Sequence, residues 1–399
     1  MSRLQAAGAA LGLLVVSALI CAGTPLGVDY SNPSWIGTNS AGESVEALAR
    51  LDFGEAAARQ PIMGPVSLLL RAPFVALAGL FGGGMLLEYR LGSLACLLPL
   101  AALAFALARM VEGERPWAQR LLVIGLVLAG PTTFKSLFWG HPEDALASAL
   151  AVGGILAARR HGLAGAAMVG AAIATKQWAI LAVIPLLVAA PERRGRLVAA
   201  TGAVALIAMA PMAIGDLDRF LDQNRANGAA GVGVTPSSLW WPFGEVVNRS
   251  AGLTGGEVEV YSIPTWMTEV SQPLTSIVVF GISIVFWLRR RAFDTADALG
   301  LFALVMLLRC VLDPMTISYH HAPFYTALAA AEIARTRRFP LLTLVTAGVM
   351  MLTSELAPAP DLMNAVYLAW SLPLAAFLGL SLFAPRVLGP LRTRLAPAR

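Results

Sequence analysis

Apolar blocks of about twenty residues, the length of helix that crosses a bilayer's hydrocarbon core, recur from one end of this chain to the other. Short polar joints separate them, and many of the joints carry arginine. Lipid offers no hydrogen bonds to a bare backbone, so such blocks must close their own bonds as helices. The pattern predicts an all-α, polytopic membrane protein. Composition agrees: 57% of the residues are hydrophobic and 13% charged, where a soluble domain carries about a quarter charged.

Helical spans are expected at 4–22, 86–109, 119–138, 142–158, 162–176, 177–191, 197–214, 271–288, 293–311, 318–334, 340–355 and 362–384. The stretch 65–82 is also apolar but holds Arg71, Pro73 and a glycine run, and it reads equally as a re-entrant or interfacial helix. The expectation is one integral membrane domain over 1–399 with about 11–13 transmembrane helices. The "SALICAG" stretch around Cys21 fits a lipoprotein cleavage site poorly, so 4–22 is read as an uncleaved first span.

Arginines cluster on alternate joints: Arg3, Arg109/Arg115/Arg120, Arg159/Arg160, Arg193/Arg194/Arg196, Arg289/Arg290/Arg291, Arg335/Arg337/Arg338 and the tail. The positive-inside rule then puts both termini in the cytoplasm of a multi-pass plasma-membrane protein. It also accounts for the basic pI of about 9.4 without any nucleic-acid partner. Lysine occurs only as Lys135 and Lys176, and with the Ala, Gly, Leu and Val bias this suggests a GC-rich bacterial coding sequence. Cys21, Cys96 and Cys310 are isolated in apolar context and show neither a metal-ligand spacing nor a disulfide framework.

The opposite side carries two long loops, about 24–64 and 215–270, and most of the acidic residues. The tryptophan pair in "SSLWWPFGE" suits a membrane interface, and secondarily a sugar face. No matching pair of broken helices is evident, which argues against a transporter.

Four polar motifs sit at span ends on this side. In "KSLFWGHPEDAL", Lys135 and His141 flank an aromatic turn, while Pro142, Glu143 and Asp144 read as a helix start with dipole-matched acids. In "ATKQW", Lys176 is a snorkelling lysine or an anion contact. In "LLRCVLDP", Arg309 and Asp313 share a helix face four residues apart, as a neutralising pair or an oriented phosphate contact. In "SYHHAPFY", Tyr319 precedes two adjacent histidines. Neighbours on a helix diverge by about 100°, so His320 and His321 do not make a two-histidine metal site, and at most one of them serves a shared cavity.

The order of the long first loop, "GHPEDAL", the "TK" ending and "DPMTISYHHAPF" resembles the GT-C membrane glycosyltransferases, specifically the glycosyltransferase 87 group that uses polyprenyl-phosphomannose. The resemblance implies a GT-C-like bundle and inverting transfer of a hexose, mannose in that group, from a polyprenyl-phosphate donor. The acceptor would be a cell-envelope glycan or glycolipid on the outer face. A carboxylate in the first outer loop would serve as general base: Asp29, with Glu43 in reserve. Lys135, Lys176 and Arg309 would hold the donor phosphate. His141, His320, His321, Asp313 and Tyr319 would line the cavity. No metal and no cofactor beyond the lipid-linked donor is implied; the partners would be donor, acceptor and membrane lipids. The chain departs from the group's pattern where an aspartate usually precedes the helix resembling "SVEALARLDFG": it has Ser40, Ala41 and Gly42, and Ser40 to Glu43 reads as a capping box. Glu46 and Arg50 are spaced as an i,i+4 pair. A lipid-substrate flippase and a non-catalytic homologue are the alternative readings.

Overall fold

The computed structural model describes residues 3–28, 30, 41–61, 63–113, 116–228, 233–251, 257–289 and 294–387. In chain order the helices are α1 (Arg3–Ala22), α2 (Ala41–Ala49), α3 (Phe53–Ala58), α4 (Pro65–Leu80), α5 (Met85–Met110), α6 (Pro116–Leu128), α7 (Pro131–Trp139), α8 (Pro142–Ala157), α9 (Gly162–Ile173), α10 (Val183–Ala189), α11 (Arg194–Gly215) and α12 (Leu217–Gly228). A hairpin of β1 (Glu245–Ala251) and β2 (Glu257–Ser262) follows, then α13 (Thr265–Arg289), α14 (Thr295–Leu312), α15 (Ala322–Thr336), α16 (Leu341–Glu355) and α17 (Pro360–Phe383).

The protein is all-α and polytopic. Among the described residues six helical stretches are long and apolar enough to cross a membrane, and five apolar helices are shorter. Proline begins α4, α7, α8 and α17 at the first turn, where its missing N–H costs nothing. The interior prolines Pro73, Pro99, Pro211, Pro273 and Pro373 sit in helices of a kind that tolerate them within a packed bundle. Helices α8, α14 and α15 are buried almost throughout and form the centre. Helices α1, α11 and α13 expose Leu11, Leu19, Leu206, Ile207 and Ile277, as lipid-facing helices do.

Several elements differ from expectation. The span at 119–138 is two helices, because the chain breaks at Gly130 and Pro131 restarts it. A Cβ on Gly130 would stand 2.9 Å from the Tyr325 ring, so glycine there leaves room for α15. The 177–191 span opens as a 3-10 turn over Gln177–Ala182 before α10. Arg50 pairs with Glu55 at 2.8 Å and not with Glu46, because a left-handed turn at Leu51 folds α3 back beside it. Ser40, the proposed cap of Glu43's helix, lies outside the described residues.

Both tryptophans of the pair are tied to the bundle through their indole N–H groups. Trp240 donates its indole N–H to the carbonyl of Leu312 at 2.7 Å, and buried Trp241 donates to Asp361 at 2.8 Å. Asn364 donates to the carbonyls of Pro236 and Ser238, and the Thr235 hydroxyl to that of Thr316. These bonds staple the segment before β1 onto the end of α14 and the start of α17. Indole N–H groups need a partner once buried, and here the partners fix the loop.

Candidate active site

A charged cluster is buried where α4, α7, α8 and the turn after α9 meet. Two backbone devices bring them together. Gly140 ends α7 in the left-handed conformation, φ 90°, which glycine adopts without strain, and so turns the chain straight into α8. At the start of α4, the N–H groups of Gly64 and Val66 donate to the carbonyls of Thr175 and Ala174, clamping α4 to the end of α9 beside Lys176.

Glu143 lies at the centre and is wholly buried. Its Oε1 stands 3.0 Å from Lys176 Nζ and 2.7 Å from His141 Nδ1, and its Oε2 is 3.9 Å from Arg71 Nη1. Lys176 also reaches Asp144 Oδ2 at 3.2 Å, while Trp178 donates its indole N–H to Asp144 Oδ1 at 3.2 Å. Arg71, wholly buried, holds its guanidinium over the Tyr30 ring, 5.3 Å from the centroid. Gly92 leaves it room: a Cβ there would stand 3.3 Å from Arg71 Nε. Two carboxylates thus face two permanent cations in a low-dielectric interior, where an unpaired charge would cost several kcal/mol, about 3–5 when one partner is removed. An ionised Glu143 can only accept, so His141 donates from Nδ1.

The late motif completes the wall. Ser318–His321 forms a 3-10 turn ahead of α15. Tyr319 stacks on His141 at 4.7 Å between centroids, and His320 meets Tyr319 edge-on at 4.5 Å. The Ile317 N–H donates to His320 Nδ1 at 3.2 Å, so the proton of a neutral His320 is on Nε2. His321 turns the other way: its buried ring has Nε2 3.0 Å from the hydroxyl of buried Tyr367, beside half-buried Trp370. Arg309 and Asp313 form the expected i,i+4 pair at 3.6 Å, and Asp313 also accepts from the Met315 N–H.

The remaining expected residues lie elsewhere. Glu43 is exposed on α2 and pairs with Arg59 at 2.7 Å. Asp29 is outside the described residues, but both its neighbours belong to this region. Val28 donates its N–H to the carbonyl of Phe138, and buried Tyr30 lies 4.9 Å from the Tyr89 ring. Tyr89 in turn donates to the carbonyl of Leu137. Burial raises the pKa of the Tyr30 phenol above its ordinary value, so it stays protonated. Lys135 faces a separate groove between α1 and α7, which neither Lys176, Arg309 nor His320 lines.

The model of glycosyltransferase family 87 matches residues 61–314, well over half of the chain. The chain belongs to glycosyltransferase family 87. No curated protein and no solved structure matches it. As a family 87 protein it is a glycosyltransferase by class, and its apolar helices make it a multi-pass membrane protein. The matched stretch contains Arg71, His141, Glu143, Asp144, Lys176, Arg309 and Asp313.

Sequence reasoning missed Arg71, Glu143, Asp144 and Trp178 as members of this site. Glu143 and Asp144 were accounted for by the helix start alone. Arg71 was legible, since an arginine inside an apolar helix is a functional candidate on that ground. His141, Glu143 and Asp144 each bring a ligand atom within 4.8 Å of the others. In this arrangement the cation held by both carboxylates is the Lys176 ammonium, and a divalent ion at the same point would meet the repulsion of Lys176 and Arg71.

Proposed function

We propose that this family 87 protein transfers a hexose, mannose by its resemblance to polyprenyl-phosphomannose-dependent enzymes, from a polyprenyl-phosphate-linked donor to a cell-envelope glycan or glycolipid on the outer face of the plasma membrane. The observation that carries the reading is the convergence of His141, Glu143, Asp144, Lys176 and Arg71 with the Tyr319–His320 wall at one end of a membrane bundle.

The chemistry follows from what each group can do. The acceptor hydroxyl loses its proton to the Asp29 carboxylate as its oxygen bonds to the anomeric carbon. The bond from that carbon to the phosphate oxygen breaks, with inversion, and the polyprenyl monophosphate departs carrying the electron pair. Negative charge grows on the phosphate oxygens, where fixed donors act best in a water-poor site. Arg309, oriented by Asp313, and the Nε2–H of His320 fill that role, and Lys176 lends positive charge from the floor. Glu143 and Asp144 keep Lys176 and His141 in place.

Protein purified into lipid and given a polyprenyl-phosphohexose with a lipid-glycan acceptor should form product. Asp29→Asn should lower turnover by about a hundredfold or more, the usual worth of a general base. Undiminished turnover in Asp29→Asn combined with Glu43→Gln would refute the base assignment. Donor flux across vesicles without product would replace the enzyme with a flippase.

A further inference from the structure

We infer that the groove between α1 and α7 is a binding site for an anionic membrane phospholipid, with Lys135 on its phosphodiester. The inference rests on the chain being a membrane protein and is independent of the sugar-transfer reading.

The groove has a volume of about 570 Å³, within the range of small-molecule sites. On α7, Phe134 and Phe138 are one turn apart and form one wall; on α1, Val16, Leu19 and Ile20 form the other. Both phenylalanines and Val16 are about half exposed, and Leu19 about two thirds. Lipid-facing side chains are expected to be apolar, and a concave apolar strip suits a hydrocarbon chain. The lysine does not fit that account. Among the described residues Lys135 has no ion pair, although the carboxylates of Glu143 and Asp144 follow it within ten residues and are taken by Lys176, His141 and Arg71. The rim is fixed: Arg90 Nε donates to the Thr24 carbonyl at 3.1 Å, and the Thr24 hydroxyl bonds back to Ile20. The site is therefore ready-formed: among the described residues that line the trough Lys135 is the cation, while Arg90 is held from behind the rim by Thr24.

Charge selects among phosphate lipids. A phosphate monoester carries about −1.5 to −2 at neutral pH and calls for more than one cation. A phosphodiester carries a single negative charge, which one ammonium balances. Phosphatidylglycerol has that headgroup and two chains, one of which fits the trough.

The test is native mass spectrometry of the full chain released from micelles containing phosphatidylcholine alone or mixed with phosphatidylglycerol. The wild type should retain phosphatidylglycerol in preference to phosphatidylcholine. Lys135→Ala should weaken that retention about fivefold, the worth of one lysine near an anionic headgroup. Lys135→Arg should keep it, and Leu19→Trp should lose it by filling the trough with the charge intact. Equal retention in wild type and Lys135→Ala would overturn the site. So would inorganic phosphate competing as well as the lipid, since the trough would then contribute nothing. Preference for a polyprenyl monophosphate over phosphatidylglycerol, abolished by Lys135→Ala, would overturn the phospholipid assignment and return Lys135 to the donor.

Discussion

The ammonium of Lys176 lies 3.0 Å from Oε1 of Glu143 and 3.2 Å from Oδ2 of Asp144, closing a buried bridge between the end of α9 and the start of α8. Lys176→Met would leave two carboxylates facing Arg71 and His141 alone. The expected cost is about 3–5 kcal/mol, read as a lower unfolding temperature in detergent. Adding Glu143→Gln to Lys176→Met should recover part of it, because one buried charge goes with its partner. An unchanged melting temperature in the single variant would show that the bridge is not structural.

The two histidines of the 318–321 turn should separate in their effects. His321→Ala strips the buried Tyr367 hydroxyl of its ring partner and opens space beside Trp370. It should cost about 1–3 kcal/mol of stability. His320→Ala gives up the bond from the Ile317 N–H and should cost about 1 kcal/mol, less than His321→Ala, but lower kcat/KM about ten- to a hundredfold, the equivalent of one hydrogen bond to a charged group. The reverse pattern would exchange their assignments.

Replacing Gly27 tests the contact beneath the site. A Cβ there would stand 2.4 Å from Gly140 Cα and 2.8 Å from its nitrogen, both backbone atoms that cannot swing aside. Gly27→Ala should destabilise by at least about 1–3 kcal/mol, the range for overpacking. Gly12→Ala, inside α1 where a Cβ meets nothing within 4 Å, is the contrasting case and should stabilise by up to about 1 kcal/mol.

Trp241→Phe removes the donor to Asp361 while keeping most of the ring's bulk. It should cost about 1 kcal/mol and raise protease cleavage between residues 233 and 245. Cleavage at the wild-type rate would mean that Asn364 and Thr235 hold that segment without it.

The bundle was legible because apolar length is a local property, visible one block at a time. The site was legible only in part, for the same reason. Lys176, His141 and Arg309 stood out because ionisable groups at span ends are scarce in this chain. Glu143 and Asp144 did not, since a proline and the positive end of a helix explain two acids locally; the lysine that claims them is in another helix. Arg71 was visible as an oddity in α4, but its neighbours Tyr30 and Glu143 come from distant stretches. The partners of the tryptophan pair, Leu312 and Asp361, were not legible because they lie far along the chain. The break at Gly130 has a local sign in the Gly130-Pro131 pair, but the packing of Tyr325 against it comes from a distant helix.

Where Gly27 passes Gly140, two stretches of main chain touch with no side chain between them. One continues two residues later into Asp29, and the other continues at once into His141. Such a contact works as a hard stop: its spacing is set by the peptide backbone, with no rotamer to relax. The surrounding side chains can change rotamer, while this spacing stays fixed as long as both positions remain glycine.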